Sequence, residues 1–126
     1  MNGVLVDTSV WVDHFRRENQ GLAYLLEGDR VMVHPMVLGE LACGTPPNRL
    51  CILADLDSLR HTQHATLKET VDFIEGEKLF GLGCGLVDML LLASTMMSPQ
   101  VELWTLDKRL SALAERFGVM HRSVTH

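Results

Sequence analysis

Short apolar segments alternate along the chain with longer segments in which apolar residues recur every three or four positions. The short segments at residues 3–6, 30–33 and 101–106 have the composition and length of buried strands. Two further short strands are predicted at 60–65 and 119–124. The longer segments predict helices at 10–17, 20–27, 35–44, 49–59, 66–79 and 108–117, with one more around Asp88. Strands that alternate with helices indicate one α/β domain over residues 1–126, with a small and mainly parallel sheet.

Individual positions carry predictions about capping and burial. Thr8 and Ser9 are predicted to cap the first helix, whose inward side carries Trp11, Val12 and Phe15. The helix at 66–79 is amphipathic, and its apolar side is predicted to point inward: Leu67, Val71, Ile74 and Leu79. Four methionines are predicted to fill the core: Met36, Met89, Met96 and Met97.

The composition is that of an ordinary globular domain. Hydrophobic residues make up 47% and charged residues 21% of the 126 positions, which is enough for a core without disulfide support. Cys43, Cys51 and Cys84 lack zinc-ligand spacing, and we predict buried thiols in a reducing compartment. No basic segment opens the chain, and glycines and Asp88 interrupt the apolar stretch at 80–101. We therefore predict a cytoplasmic protein in which this stretch is a buried helix and not a membrane span.

Three carboxylates stand alone in apolar segments. Asp7 is the only charged side chain in residues 1–12, Glu40 the only one in 31–48, and Asp88 the only one in 79–101. An ionised carboxylate in such surroundings costs several kcal/mol unless it is paired, and none of these segments contains Lys or Arg. A shared divalent cation would account for all three acids.

The predicted topology brings these acids together with Asp107. Asp7 and Asp107 directly follow strands, and ligands bind at the carboxyl ends of parallel strands. Glu40 and Asp88 lie near the starts of helices that can point back to the same edge. Carboxylate oxygens favour Mg²⁺ or Mn²⁺, which activates water and stabilises developing charge in phosphate chemistry. Asp107 also precedes Lys-Arg-Leu as a good helix N-cap, and this structural interpretation stands beside the catalytic one.

Other polar residues allow two interpretations each. Four basic residues follow the acidic strand ends and are either solvated or placed around the mouth of the site: Arg16, Arg17, Lys108 and Arg109. The glycines at 81, 83 and 85 resemble a short phosphate loop, but they do not follow a strand. His34 precedes Pro35 and is predicted to be structural or part of an entry loop. The net charge of −5 argues against binding polyanions through bulk electrostatics, although it does not exclude a nucleic-acid substrate.

Four stretches carry the candidate acids in recognisable contexts. They are VDTSVWVD at 6–13, HPMVLGELA at 34–42, GLVD at 85–88 with LLA at 91–93, and LWTLDKRL at 103–110. Together they resemble the four acidic blocks of PIN-domain ribonucleases, and specifically the VapC toxins of bacterial toxin–antitoxin pairs. The blocks occur in the family's order and cover nearly the whole chain. Each block alone is weakly specific, and the four together are strongly so.

The resemblance implies a PIN-like, Rossmann-like α/β/α fold of three layers and cleavage of single-stranded RNA, commonly in a tRNA or ribosomal RNA loop, with Mg²⁺ or Mn²⁺. Its catalytic and metal-binding acids are Asp7, Glu40, Asp88 and Asp107, with Asp7 and Asp88 as the principal ligands. Thr8 or Ser9 and Thr105 are the corresponding supporting hydroxyls. Relatives often have His two residues after the third acid, where this chain has Leu90, so local polar support from that position is in doubt.

The resemblance also implies partners. It points to a homodimer that a cognate antitoxin holds inactive in a larger hetero-oligomer. We expect the apolar faces of the first two helices to offer the antitoxin a groove: Trp11, Phe15, Leu22 and Leu25. The antitoxin would then point an Arg or Lys at the four acids.

Alternative functions fit the sequence less well. A receiver-like phospho-accepting switch would have paired acids after the first strand and a Lys at the end of a late strand, whereas Thr8 and Asp107 stand there. A phosphatase with Asp7 as nucleophile would have Asp at position 9, where Ser9 stands. A PIN-like module that binds RNA or protein without turnover is the third alternative, and the intact set of acids argues against it.

Overall fold

The computed structural model describes residues 2–123 and has alternating strands and helices. The strands are β1 (Gly3–Val6), β2 (Val31–Val33), β3 (Arg60–His61) and β4 (Val101–Trp104). The helices are α1 (Thr8–Arg16), α2 (Gln20–Glu27), α3 (Pro35–Ala42), α4 (Arg49–Asp57), α5 (Leu67–Glu77), α6 (Leu86–Met97) and α7 (Lys108–Arg116). Each predicted helix is therefore present, with ends that differ from the prediction by at most a few residues.

The four strands form one parallel sheet in the order β3-β2-β1-β4. The chain passes from β1 to β2 to β3 in one direction across the sheet, through helices α1 to α4. Because crossovers between parallel strands are right-handed, these four helices lie on one face of the sheet. The chain then returns past β1 through α5 and α6, and α6 packs against α5, α7 and β4. The prediction of a three-layer α/β/α fold around a small parallel sheet is confirmed.

Strand β1 lies at the centre of the core. All four of its residues are buried, as expected for a parallel strand that helices cover on both faces. Gly3 pairs with Val101 and Val6 with Trp104, so β1 and β4 end at the same level. The order of connections reverses between these two strands, and this reversal marks the crevice where open α/β sheets bind ligands.

Helix α6 is the predicted buried helix and packs against β4. Its central residues are buried, whereas Leu86 at its start and Met96 and Met97 at its end are 41–49% exposed. Within residues 2–123, no helix combines the length and the apolar character that a membrane crossing requires.

The start of α1 differs from the prediction. Asp7 is itself the N-cap residue, and its side chain accepts a hydrogen bond from the Thr8 backbone N–H. Thr8 and Ser9 are instead the first two residues of the helix. Their hydroxyls are consequently free of the capping role and available to neighbouring acids.

The two weaker strands are shorter than predicted. After β3 the backbone N–H groups bond to side chains of α6 and its C-cap in place of a strand. Gln63 N donates to Ser98 Oγ, and Ala65 N donates to Ser94 Oγ. The final strand predicted at 119–124 is reduced to one parallel bridge between Leu103 and Met120, and residue 124 lies outside the described residues.

Several burial predictions are wrong. Cys43 and Cys51 are exposed and Cys84 is half-buried, and all three are free thiols. Helix α5 buries Thr70 completely, so that Leu67 and Val71 are 59% and 45% exposed on its outer side. Of the four methionines, Met89 is buried and Met36 partly so, whereas the pair that ends α6 is exposed.

His34 is structural and fastens the start of α3 to α6. Its Nδ1 accepts from the Met36 backbone N–H at 3.0 Å, and its Nε2 lies 3.0 Å from Ser94 Oγ. Because Nδ1 accepts, the neutral ring carries its proton on Nε2 and donates it to Ser94. The pKa of His34 is lowered to about 4, chiefly by burial and to a smaller extent by the charges of His64 and His61.

The stability of the fold is therefore expected to fall in mild acid. The unfolded chain takes up a proton at the ordinary His pKa of about 6.5, before the folded chain does at about 4. His34 contributes up to roughly 3 kcal/mol to the free energy of unfolding. This contribution is complete above pH 6.5 and is lost as the pH falls from 6.5 to 4. Urea unfolding at several pH values should show this slope, and His34→Gln should flatten it. An unchanged slope in His34→Gln would contradict the assignment.

Candidate active site

The Asp7 carboxylate joins the ends of β1 and β4. Oδ1 accepts from the Thr8 backbone N–H at 2.7 Å, while Oδ2 accepts from Ser9 Oγ at 2.9 Å and from Thr105 Oγ1 at 2.7 Å. The side chain is only 6% exposed, and these three bonds satisfy a carboxylate that burial would otherwise penalise. The position and orientation of Asp7 are thereby fixed.

Glu40 is tied to the same place through Thr8. Helix α3 packs against α1, and Thr8 Oγ1 donates to Glu40 Oε1 at 2.7 Å. Thr8 thus donates its backbone N–H to Asp7 and its hydroxyl to Glu40. One residue at the start of α1 holds two of the four acids.

Asp88 stands in the first turn of α6. Its Oδ2 accepts from the Gly85 backbone N–H at 3.4 Å, which ties the acid to the N-terminal end of the helix. Burial raises the pKa of Asp88, the Gly85 bond opposes this effect, and the negative charges of Asp7, Asp107 and Glu40 raise it further. The other three acids are therefore each close enough to influence Asp88, and such crowding of like charges is typical of a functional site.

Asp107 is the N-cap of α7, as its structural interpretation predicted. Oδ1 accepts from the backbone N–H groups of Arg109 at 2.9 Å and Leu110 at 3.0 Å. Its own backbone N–H donates to Thr105 Oγ1, and the Leu106 N–H donates to Ser9 Oγ, each at 3.0 Å. The two hydroxyls that hold Asp7 therefore also fix the backbone that leads to Asp107.

The four acids share one edge of the sheet without forming a ready-made set of ligands. Within residues 2–123, no three Asp, Glu, His or Cys side chains are arranged so that they could hold a metal ion. Glu40 and Asp107 are exposed, and in the described part of the chain each keeps one carboxylate oxygen that accepts no hydrogen bond. The available donors are carboxylate and hydroxyl oxygens, which suit a hard divalent cation.

Cys84 and Arg109, which no sequence pattern connected, lie beside Asp88 and Asp107. Burial raises the pKa of the Cys84 thiol, the charges of Asp88 and Asp107 raise it further, and Arg109 opposes them. Arg109 Nη1 also lies 3.4 Å from the Gly83 carbonyl oxygen. In the sequence, only the alternating glycines at 81, 83 and 85 point to this loop. No local pattern shows that Arg109 of α7 contacts it.

The predicted basic residues differ in their placement. Arg16 lines a depression that also contains Thr8 and Glu40. Arg17 and Lys108 are exposed, and in the described part of the chain no ion pair joins either side chain to the acids. Of the four, Arg16 shares a depression with Thr8 and Glu40, and Arg109 lies beside the loop that precedes Asp88.

An apolar groove runs from α2 and α4 to the acidic edge. It consists of two depressions of about 340 and 350 Å³ that share Phe15 and Pro47. One depression reaches Thr8 and Glu40. The other is lined mainly by apolar side chains of α1, α2, α4 and the segment that follows α4: Trp11, Phe15, Leu26, Ile52, Leu56 and Leu59.

Two of the predicted groove residues lie elsewhere. Leu22 and Leu25 are at most 2% exposed and belong to the core. On α2 the groove is instead lined by Leu26, the next residue along the helix. Leu22 and Leu25 therefore cannot contact a partner at this surface.

Comparison with known proteins identifies the family. Residues 4–116 match the model of the PIN domain. The chain is 39% identical over 116 residues to ribonuclease VapC32 from two strains of Mycobacterium tuberculosis, CDC 1551 / Oshkosh and ATCC 25618 / H37Rv. The aligned region covers 92% of this chain and 94% of each relative. The match spans all four acidic blocks in one fold, and this chain belongs to the PIN domain family, as a protein of the VapC type.

Proposed function

We propose that this protein is a Mg²⁺- or Mn²⁺-dependent endoribonuclease toxin that a cognate antitoxin neutralises. The observation that carries the proposal is the crowding of Asp7, Glu40 and Asp107 around Asp88, whose pKa is raised by burial and then by their charges. Neighbouring negative charges without a basic partner favour binding of a cation. The similarity to ribonuclease VapC32 supports the same reaction class.

Asp7 and Asp88 would be the principal ligands, with Glu40 and Asp107 completing the pocket. Asp7 is fixed by Thr8, Ser9 and Thr105, so it would serve as the rigid anchor. When bound, a divalent cation would activate water and stabilise the charge that develops on the phosphodiester. The contribution of the protein is to hold several carboxylates at one edge of the sheet against their mutual repulsion.

The proposed substrate is single-stranded RNA, such as a tRNA or ribosomal RNA loop, encountered in the cytoplasm. Arg16 lies in the depression beside Thr8 and Glu40, where it could contact a phosphate next to the acids. Arg17 and Lys108 would add positive charge around the mouth of the site, and phosphate contacts of this kind supply most of the affinity for nucleic acids.

The proposed antitoxin binds in the apolar groove. An amphipathic segment laid along the groove would cover Phe15, Leu26 and Ile52 and reach Glu40 at its end. A basic residue at that point would form charge-assisted hydrogen bonds with the carboxylates and compete with the metal. Inhibition would then come from occupation of the acidic edge itself.

We further propose a homodimer, with hetero-oligomers that form when the antitoxin binds. Helix α5 exposes Leu67 and Val71 on its outer side. Exposed apolar side chains that are adjacent on one helix face are candidates for an interface between two copies.

Metal dependence can be tested with purified protein and single-stranded RNA. An excess of EDTA is expected to reduce cleavage by at least about 100-fold, and Mg²⁺ or Mn²⁺ should restore it and raise Tm, because ions that bind only the folded state stabilise it. Asp88→Asn serves as the control for contaminating nucleases. Full cleavage in excess chelator would refute the proposed chemistry, and tight RNA binding without cleavage would favour the binding module.

Thermal unfolding without metal should separate the roles of Asp7 and Asp88. A carboxyl whose pKa is raised by the fold is disfavoured when charged, so Asp88→Asn should raise Tm at pH 7 by roughly 2–5 °C. The gain should vanish in acid, where Asp88 is protonated in both states. Asp7→Asn disrupts a satisfied buried network and should cost about 1–3 kcal/mol. Both variants should lose cleavage, and a lower Tm for Asp88→Asn would identify that acid as structural.

The groove can be tested with two variants of α4 that carry the same charge change. Ile52 lines the groove, whereas Leu50 is 78% exposed and does not. A buried unpaired charge opposes binding, so Ile52→Asp should weaken antitoxin binding at least about 10-fold. Leu50→Asp should leave the affinity unchanged, and RNA cleavage should persist in both. Equal affinities of the two variants would show that the antitoxin binds elsewhere.

A further inference from the structure

We propose that Arg109 is a positioning residue, which holds the glycine-rich loop at residues 79–85 so that Asp88 keeps its place at the acidic edge. The inference rests on the proposed function, since Asp88 matters as a metal ligand. It assigns Arg109 a role through Gly83 and Asp88, in place of a direct contact with RNA phosphate.

The Arg109 side chain packs against the backbone of Gly83. A Cβ at position 83 would lie 2.8 Å from Arg109 Nη1 and 3.0 Å from both Cδ and Cζ. Arg109 Nη1 donates to the Gly83 carbonyl oxygen at 3.4 Å. The guanidinium therefore occupies space against the backbone that exists only because residue 83 is glycine.

The loop has few other attachments. Leu79 is buried at one end, whereas Phe80 and Leu82 are 61% and 45% exposed. In the described part of the chain, the bond from Arg109 is the only side-chain hydrogen bond made to residues 80–84. An exposed segment with so little burial is expected to open locally at low cost.

The loop leads directly into the turn that carries Asp88. Gly85 is the N-cap of α6 but has no side chain to cap the helix. Its backbone N–H donates to Asp88 Oδ2 at 3.4 Å. Displacement of the loop would therefore move the backbone group that orients the third acid.

Arg109 connects this loop to the fourth acid. Its backbone N–H donates to Asp107 Oδ1 at 2.9 Å, while its side chain reaches Gly83. One residue in the first turn of α7 thus contacts the cap formed by Asp107 and the loop that precedes Asp88. Its charge also opposes the effect of both acids on the pKa of Cys84, as expected if it lies beside them.

Two glycine variants isolate the contact. Gly81 and Gly83 both have positive φ, 73° and 87°, but a Cβ at Gly81 meets no atom within 4 Å. Gly81→Ala and Gly83→Ala therefore impose similar backbone strain, and only the second displaces Arg109. Each is compared in the natural chain and in an Arg109→Ala background.

The first readout uses neither metal nor RNA. Amide hydrogen exchange at residues 85–89 should be faster in Gly83→Ala than in Gly81→Ala, and this difference should disappear in the Arg109→Ala background. Because this readout does not depend on catalysis, it tests the contact even if the proposed function fails. Equal exchange in the two glycine variants would overturn the proposal.

The second readout uses Mn²⁺ and RNA. Arg109→Ala and Gly83→Ala should weaken Mn²⁺ binding and lower kcat by about 10-fold, since small misplacements of reacting groups are costly, with KM for RNA within about two-fold. Arg109→Lys, which cannot lie flat against Gly83, should not restore kcat. Two results together would identify Arg109 as an RNA ligand and overturn the proposal. KM would rise with kcat unchanged, and the salt dependence of RNA binding would fall by the amount expected for about one lost phosphate contact.

Discussion

Mutual repulsion among four carboxylates at one edge of a small sheet is the constraint on which this structure depends. The parallel pairing of β1 with β4 brings Asp7 next to Thr105, and the switch in strand order leaves a crevice at this point. The hydroxyls of Ser9 and Thr105 each accept a backbone N–H while donating to Asp7. The network fixes one acid rigidly, and Thr8 extends it to Glu40.

Helix N-termini reduce the cost of this crowding. Asp7 caps α1, Asp107 caps α7, and Asp88 stands in the first turn of α6. The unpaired N–H groups and the positive end of each helix dipole stabilise negative charge at these positions. Capping and a catalytic role are therefore compatible for Asp107, because its cap uses only one carboxylate oxygen. For Asp88 these effects are incomplete, because burial and the three neighbouring charges still raise its pKa.

The sequence predicted the features that depend on local pattern. Apolar runs and capping residues identified the helices, and the isolated acids identified the edge where they meet. Predictions failed where burial depends on how elements pack: Leu22 and Leu25 lie in the core, whereas Leu67 and Val71 are exposed. Helical periodicity shows which residues of a helix share a face, but it does not show which face a neighbouring element covers. The contact of an α7 arginine with the loop before α6 depends likewise on tertiary packing.

Anomalous diffraction from a crystal soaked in Mn²⁺ would show whether these four acids form one site for a divalent cation. We expect one or two anomalous peaks at the edge formed by β1 and β4, with Asp7 and Asp88 as direct ligands. Glu40 and Asp107 should turn toward the same peaks, or lie one water molecule away. A peak elsewhere on the molecule, or a saturating soak that leaves this edge without one, would show that the four acids do not form such a site.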